Sequence, residues 1–255
     1  MKIKKVLVSQ PKPATEKSPY FDLAESLGLK LEFRPFIKVE GVTGKEIRQQ
    51  RINILDYTAI VFSSRTAIDH FFRICEEMRV TIPDTMKYFC ISEAIALYLQ
   101  KYIVYRKRKI FYGDTKLEDM KKNFLKHKTE NFLVPLSDVH KENIPGLMDE
   151  LKLKYTKVVL YKTVSDEISN EIPDLHEYDI VVLYTPAGVK SLLQNYPNFE
   201  QGDLVLATFG ATTAKALEDA GLRLDIAAPT EKCPSMTMAL EQFIKVHNKG
   251  TKKKD

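Results

Sequence analysis

Residues 56–68 read DYTAIVFSSRTAI, and residues 177–189 read EYDIVVLYTPAGV. The two stretches match position for position: an apolar run typical of a buried strand, a small hydroxyl residue at its carboxyl end, and the start of a helix. The match continues downstream, because FCISEAIA at 89–96 corresponds to ATFGATTA at 207–214. The repeat period is far too long for a solenoid, so the repeat predicts two similar α/β lobes.

The rest of the chain continues this alternation. Strands are predicted at 5–9, 58–62 and 88–91, and helices at 20–27, 66–79 and 94–101. Gly28 is positioned to end the first helix. A strand predicted over 30–39 contains Pro35, which cannot donate in a ladder, so this strand should bend or lie at an edge. The expected fold class is α/β: two similar parallel-sheet lobes, with a cleft between them where a ligand binds.

The composition narrows the class of protein. The chain has 255 residues, of which 44% are hydrophobic and 29% charged, enough for one large or two ordinary cores. No apolar stretch approaches the roughly 20 residues of a membrane helix, and no signal peptide is evident, so we expect a cytoplasmic protein. Three distant cysteines and five scattered histidines support neither a disulfide framework nor a zinc site. Glycine-rich nucleotide loops and a nucleophile elbow are also missing, which predicts no cofactor.

The net charge of +5 is unevenly distributed. Residues 247–255 contain four lysines and one aspartate, and we expect 249–255 to form a basic, disordered tail. A second basic run, Arg106–Lys109, could bind nucleic acid but is more often a solvated loop. No aromatic residues are interleaved with this run in the manner of a base-stacking platform. Nucleic acid is therefore not an expected partner.

Four turns of the repeat are candidates for ligand binding. In open parallel sheets the ligand lies beyond the carboxyl ends of the strands, where helix N-termini present unpaired N–H groups. Ser and Thr at helix starts are usually ordinary N-caps. Four corresponding turns in two lobes nevertheless favour a site for carboxylates or phosphates. These turns are 64–66, 92–94, 185–188 and 210–213.

Several of these residues carry a resemblance to a known family. The segment FGATTAKALEDAGL at 209–222, followed by Ala228-Pro229-Thr230, resembles a glycine, Thr-Ala, Leu, Gly signature of uroporphyrinogen-III synthase. Thr185–Val189 resembles that family's Ser-Pro-small-Gly-Val turn, and Phe62-Ser63-Ser64 resembles the counterpart in its other lobe. Val159–Val164 resembles its linker strand. The likeness covers nearly the whole chain except the basic tail.

The resemblance implies a particular domain arrangement. In this family one lobe is built from both chain ends, and two connector strands join the lobes. The boundaries it implies are 1–35 with 166–248 for the first lobe, 40–158 for the second, and 34–39 and 159–164 for the connectors.

The resemblance also implies an activity: cyclisation of hydroxymethylbilane, an anionic linear tetrapyrrole, to uroporphyrinogen III with inversion of ring D through a spiro intermediate. No metal or organic cofactor and no membrane are implied, and we expect a monomer. Tyr161, on the linker strand, is the candidate catalytic residue, because a phenol can donate a proton to a leaving hydroxyl. The alternative is that Tyr161 only packs. The candidate substrate-binding residues are Ser64, Arg65, Ser92, Thr185, Pro186, Gly188, Gly210, Ala211, Thr212 and Thr213.

Two positions depart from the family pattern. Ser92-Glu93-Ala94 lacks the usual glycine and threonine, and Tyr184 stands where a smaller polar residue is usual. They leave the details of substrate contact open. A small-molecule-binding or regulatory protein with the same two lobes and no catalysis is the alternative function, because fold alone does not separate binders from enzymes.

Overall fold

The computed structural model describes residues 2–114, 117–140 and 142–251. The strands in chain order are β1 Lys5–Val8, β2 Lys30–Phe33, β3 Ile37–Gly41, β4 Ala59–Phe62, β5 Lys87–Cys90, β6 Ile110–Tyr112, β7 Phe132–Ser137, β8 Tyr155–Ser165, β9 Ile180–Leu183, β10 Val205–Phe209 and β11 Ile226–Ala228. The α-helices are α1 Pro19–Leu27, α2 Gly44–Gln49, α3 Arg65–Glu77, α4 Glu93–Tyr98, α5 Lys121–Lys126, α6 Asn143–Glu150, α7 Pro186–Asn195, α8 Ala211–Asp219 and α9 Met236–Thr251.

The chain divides into two compact units. Unit 1 comprises residues 1–38 and 164–255, and unit 2 comprises residues 39–163. The chain passes from one unit to the other within β3 and again within β8. The ranges implied by the sequence for the two lobes lie inside these units.

Unit 1 is built on a five-stranded sheet in the order β11-β10-β9-β1-β2, whose paired neighbours run parallel. Its central strands are buried on both faces, as parallel strands covered by helices require. Val6 and Val182 pack with side chains of α1 and α9, whereas Leu7 and Val181 pack with α7 and α8. This explains why the strands read as continuous apolar runs.

Unit 2 contains a six-stranded sheet in the order β3-β8-β7-β4-β5-β6, in which β4 to β8 pair in parallel. Ile60 and Phe62 pack with α3 on one face, and Ala59 and Val61 pack with α5 and α6 on the other. The α/β class with two parallel-dominated sheets is therefore confirmed.

The internal repeat is visible as matching pieces of structure. β4 and α3 correspond to β9 and α7, and β5 and α4 correspond to β10 and α8. The correspondence begins before the strands, where short 3₁₀ turns at Ile54–Asp56 and Leu175–Glu177 are capped by Asn53 and Asp174. In each unit the two repeated strands are parallel neighbours, so their carboxyl ends lie at one edge of the sheet.

The strand predicted over residues 30–39 is two strands. β2 ends at Phe33 and β3 begins at Ile37, and each lies at the edge of its own sheet. Pro35 interrupts the ladder between them because it has no N–H to donate. The predicted bend is therefore present, but the connector strand begins at Ile37 and not at residue 34.

The prediction of a disordered tail from residue 249 is wrong for residues 249–251, which belong to α9. The helix persists because Ala239, Leu240 and Ile244 bury one of its faces. Asn248 near its end accepts a hydrogen bond from the backbone N–H of Ile3 at 3.0 Å, and Lys249 suits the negative end of a helix. Residues 252–255 of the predicted tail lie outside the described residues.

The described residues lack two features that would point to particular classes of protein. Among the described residues, no helix is long and apolar enough to cross a membrane. The same part of the chain contains no group of three or more His, Cys, Asp or Glu side chains that could hold a metal ion. Cys75 and Cys90 are buried free thiols, and burial raises the pKa of each to about 12, so neither is a reactive thiolate at neutral pH.

Candidate active site

In unit 2, the hydroxyl of Ser64 begins α3 at the carboxyl end of β4. Its Oγ accepts a hydrogen bond from the backbone N–H of Ala67 at 3.0 Å, so the N-cap expected from the sequence is formed. Ser92 occupies the matching position at the end of β5, but its side chain makes no capping bond to α4. The departure from the family pattern at Ser92 thus coincides with an uncapped and short helix.

In unit 1, Thr185 begins α7 at the carboxyl end of β9. Its Oγ1 accepts from the backbone N–H of Gly188 at 3.0 Å. Pro186 is the first residue of the helix, where a missing N–H costs nothing. Gly188 is buried, and a Cβ there would lie 3.4 Å from Thr185 Oγ1, at about van der Waals contact with the capping hydroxyl.

The start of α8 differs, because Gly210 has no side chain with which to cap the helix. Its φ of 88° and ψ of 144° form a conformation that glycine adopts without strain. The Gly210 N–H donates to the carbonyl of Ala228 at 2.6 Å, which fixes the turn to β11. No side chain at the N-cap position therefore caps the first backbone N–H groups of α8, which begin at Ala211.

The two threonines of this turn have different environments. Thr212 is exposed, whereas the side chain of Thr213 is only 1% exposed. Of these two threonines, Thr212 is therefore the one exposed to a dissolved ligand, and Thr213 is part of the packing beneath the turn.

Tyr161 lies on β8, where the structure brings it next to Ser64. The two hydroxyl oxygens are 3.5 Å apart, although 97 residues separate them in the chain. The end of β7 holds the backbone at this point: the Asp138 N–H donates to the Tyr161 carbonyl at 3.1 Å, and Asp138 Oδ1 accepts from the Thr163 N–H at 3.0 Å. Burial opposes ionisation of Asp138, but its hydrogen bonds outweigh that effect and lower the pKa of the carboxyl. An ionised Asp138 therefore anchors the strand around Tyr161.

Sequence reasoning missed His70, whose imidazole stacks on the Tyr161 ring. The ring centroids are 5.1 Å apart and the planes are inclined by 19°. The only sequence signal is spacing, because His70 lies six residues after Ser64 on the helix that Ser64 caps. That spacing identifies no partner on a distant strand.

Arg65, another candidate substrate-binding residue, is the first residue of α3. Its guanidinium lies over the ring of Tyr98, 5.3 Å from the ring centroid. A cation over an aromatic face is held there by the ring quadrupole. Arg65 still contributes positive charge beside Ser64, but from a position defined by Tyr98.

Tyr184, the other departure from the family pattern, is tied to Tyr20 of α1 by a hydrogen bond between the two hydroxyls. Burial, followed by the neighbouring Tyr184, raises the pKa of Tyr20, and burial also raises the pKa of Tyr184. Both phenols therefore stay protonated. In unit 1 the bulky side chain at position 184 thus joins α1 to the end of β9.

Two parallel-sheet units with helix N-termini beyond the carboxyl ends of corresponding strands define a class of α/β protein suited to anionic ligands. The family model of uroporphyrinogen-III synthase HemD matches residues 18–238 of the chain. Because that match spans most of the sequence, the chain belongs to the uroporphyrinogen-III synthase family, and its function in haem biosynthesis follows from that membership. The resemblance inferred from the sequence is confirmed.

Two solved structures are similar to this chain, and the one from Helicobacter pylori agrees on the fold. Uroporphyrinogen-III synthetase from Helicobacter pylori is 13% identical with a TM-score of 0.56, and the alignment covers 96% of this chain and 100% of that one. A mutant uroporphyrinogen III synthase from the extremely thermophilic bacterium Thermus thermophilus is 15% identical with a TM-score of 0.45, covering 96% of this chain and 99% of that one. A comparison with curated proteins found no match.

Proposed function

We propose that the chain converts hydroxymethylbilane to uroporphyrinogen III with inversion of ring D and without a metal or organic cofactor. It would be a cyclising hydro-lyase that acts as a cytoplasmic monomer. The observation that carries the proposal, together with family membership, is the pairing of the Tyr161 and Ser64 hydroxyls at the N-terminus of α3.

The reaction needs little from the protein beyond positioning and one proton. Loss of the terminal hydroxyl from ring A leaves an azafulvene, which the substituted carbon of ring D attacks to form a spiro intermediate. Fragmentation and closure through the other carbon of ring D then give the inverted macrocycle, and a proton is released when the pyrrole regains its aromaticity. The electrophile is the substrate's own, so catalysis consists mainly of holding the chain and excluding direct closure.

Tyr161 is proposed as the acid that assists departure of the hydroxyl. Its proton leaves with the hydroxyl as water, and the proton released at the end of the reaction restores the phenol. The negative charge on the intervening phenolate lies 3.5 Å from the N-cap oxygen of α3. Either oxygen of this pair can be the donor, so the Ser64 hydroxyl can donate a hydrogen bond to the phenolate oxygen.

The helix starts of each unit are proposed to bind the acetate and propionate groups of the substrate. In unit 1 these are the uncapped start of α8, from Gly210 to Thr212, and the turn of Thr185, Pro186 and Gly188. Buried Thr213 would support the α8 turn from beneath. In unit 2 the corresponding groups are Ser64, Ser92 and the guanidinium of Arg65. Backbone N–H groups at helix starts suit carboxylates because the dipole and the donors act together.

Isomer analysis of the product tests the proposal. Hydroxymethylbilane closes spontaneously to the type I isomer, in which ring D is not inverted, so isomer identity reports catalysis even when the total yield does not. A preference of about 2.7 kcal/mol for the spiro route already gives roughly a hundredfold excess of type III. Purified protein treated with a chelator is expected to yield predominantly type III, measured by chromatography of the oxidised products.

The control is the same incubation without protein. A product mixture equal to that control would reject the synthase proposal and favour a binding or regulatory protein without catalysis. Type III formation that disappears with the chelator and returns with added metal would contradict cofactor independence alone.

A further inference from the structure

His70 contacts Tyr161 from the same helix that supplies Ser64. The N-cap of α3 lies beside the Tyr161 hydroxyl, and the imidazole of His70 lies against the Tyr161 ring. One rigid element of unit 2 therefore contacts both the hydroxyl and the ring of this phenol. Stacked aromatic pairs are stabilised beyond the burial of their area, which favours one ring orientation.

Arg73 holds the imidazole through its ring nitrogen Nδ1. Its Nε donates to His70 Nδ1 at 3.3 Å. A guanidinium has no acceptor, so Nδ1 carries no proton in this arrangement and a neutral His70 carries its proton on Nε2. Burial, followed by the positive charge of Arg73, lowers the pKa of His70, although Asp69 opposes this effect. The contacts thus hold His70 as a neutral ring of defined tautomer.

Arg73 is itself fixed by two further contacts. Its Nη2 donates to the carbonyl of Val42 at 2.6 Å, and its Nη1 lies 3.0 Å from Glu77 Oε2 one helical turn away. Glu77 Oε1 accepts from the backbone N–H of Gly44 at 2.6 Å. The chain of contacts that holds His70 therefore leads, through Arg73 and Glu77, to backbone groups that follow β3.

Gly41 provides the space for this arrangement. A Cβ at that position would lie 2.5 Å from Arg73 Nη2 and 2.7 Å from His70 Nδ1, distances that real Cβ atoms essentially never show. The last residue of β3 must therefore be glycine for Arg73 and His70 to approach the strand this closely.

We infer that His70 is a positioning residue for Tyr161: its ring, held by Arg73 against the phenol, keeps the Tyr161 hydroxyl beside Ser64 and the start of α3. The inference rests on the proposed catalytic role of Tyr161. Because His70 acts through Tyr161 and contacts no reacting atom, its removal should affect kcat and leave the substrate KM nearly unchanged.

A double-mutant cycle between His70 and Tyr161 tests the inference. His70→Ala is expected to lower kcat about 5- to 10-fold with KM within about twofold, a loss that lies within the range of about 2- to 13-fold for a stacking pair. Once Tyr161→Phe has removed the hydroxyl, a change in the orientation of the ring at position 161 should not lower kcat further. The double variant should therefore be no slower than Tyr161→Phe alone, within about twofold.

Two further variants complete the design. His70→Phe restores a ring against Tyr161 and is expected to recover most of the loss seen in His70→Ala. Phe72→Ala is the matched control: Phe72 lies on the same helix and stacks on Tyr102 with centroids 4.5 Å apart. It should lower thermal stability and leave kcat and the type III fraction unchanged.

The outcomes separate the inference from the proposal beneath it. If Tyr161→Phe retains full turnover, the proposed role of Tyr161 is wrong. If Tyr161→Phe is slow and the His70→Ala loss multiplies fully in the double variant, or His70→Phe is as slow as His70→Ala, the positioning role is wrong. If circular dichroism shows that His70→Ala does not fold, the cycle is run with His70→Asn instead. Asparagine retains an acceptor for Arg73 and has no aromatic ring. The comparison of that variant with its double variant then decides whether His70 positions Tyr161.

Discussion

At the scale of single residues, the site in unit 2 depends on one phenol with neighbours of different kinds. Ser64 supplies a hydroxyl and the positive end of a helix, His70 supplies a ring, and Asp138 fixes the backbone of Tyr161. Ser64 is the N-cap of α3, His70 lies within the same helix, and Asp138 directly follows β7. The chemistry assigned to Tyr161 can therefore be separated from its packing by changing one atom.

Tyr161→Phe removes the hydroxyl and keeps the ring. We expect turnover to fall by about 10- to 1000-fold, the range for losing a general acid, with little change in thermal stability. Turnover is measured by stopped or steady-state assays of type III formation, and stability is measured by thermal unfolding. Tyr196→Phe is the control, because the Tyr196 hydroxyl donates to the carbonyl of Ile172 at 2.6 Å; it should lose stability and keep turnover.

Thr212→Ala tests the carboxylate site proposed at the start of α8. Losing an accessible hydroxyl that binds a carboxylate should cost about 1 kcal/mol or more, which corresponds to a roughly fivefold or greater rise in substrate KM together with slower turnover. Thr212→Ser keeps the hydroxyl and should remain near the parent. Equal kinetics for the Ala, Ser and parent proteins would show that Thr212 does not contact substrate.

At the scale of elements, the segment between β2 and β3 is held by Arg34. Its Nε and Nη2 each lie 2.7 Å from a carboxylate oxygen of Glu171, and its Nη1 lies 2.6 Å from Asp166 Oδ2. Hydrogen bonds from Arg34 lower the pKa of both carboxyls. The guanidinium thus connects the bend at Pro35 to the residues that follow β8, all within unit 1.

Arg34→Ala should destabilise the protein in a pH-dependent way. Because the folded-state pKa of Asp166 and Glu171 is depressed, their pairing stabilises the fold above the unfolded pKa of about 4 and is lost as pH falls through the folded value. The melting temperature of Arg34→Ala should be lower than the parent's by about 2–5 °C at pH 7, with the gap closing as pH falls through the depressed folded-state pKa of the two carboxyls. Lys215→Ala, which removes an exposed pair with Asp219, should show little change at either pH. If the difference in melting temperature between Arg34→Ala and the parent does not change with pH, the loss of stability comes from packing and not from the ion pairs.

At the scale of the whole molecule, duplication explains why helix starts recur in both units. The chain carries a net charge of +5, and the proposed substrate is a polycarboxylate. The parts of the molecule proposed to contact it include exposed positions, such as Thr212 and Arg65. Contacts of this kind are sensitive to ionic strength because salt screens exposed charges.

Substrate capture should accordingly weaken with salt. Raising NaCl from about 50 to 500 mM shortens the screening length from about 14 to about 4 Å, so KM is expected to rise several-fold while kcat changes little. The type III fraction should stay high, because ring inversion depends on positioning after capture. A KM that does not change with salt would show that direct hydrogen bonds dominate binding.

Much of the fold could be predicted from local sequence. Apolar runs identified β4, β5 and β1, the Ser and Thr caps located the starts of α3 and α7, and Gly28 with φ of 63° ended α1 as expected. These features depend on contacts between residues three or four apart, or on the preference of one residue for a backbone conformation. The repeat then indicated two units, because similar local patterns build similar supersecondary structure.

Only the tertiary structure decided which of these residues meet. The sheet orders bring Tyr161 to Ser64 and His70, and Tyr184 to Tyr20, across separations of up to 164 residues. Neighbouring threonines at 212 and 213 have opposite exposures because the helix turns one away from the solvent that the other faces. No local pattern encodes such contacts, since they depend on strand order and on the space that Gly41 leaves open. The sequence alone determined the repeated strand–helix units, the caps at Ser64 and Thr185, and the family; the packing of β8 against α3 decided which groups surround the candidate acid.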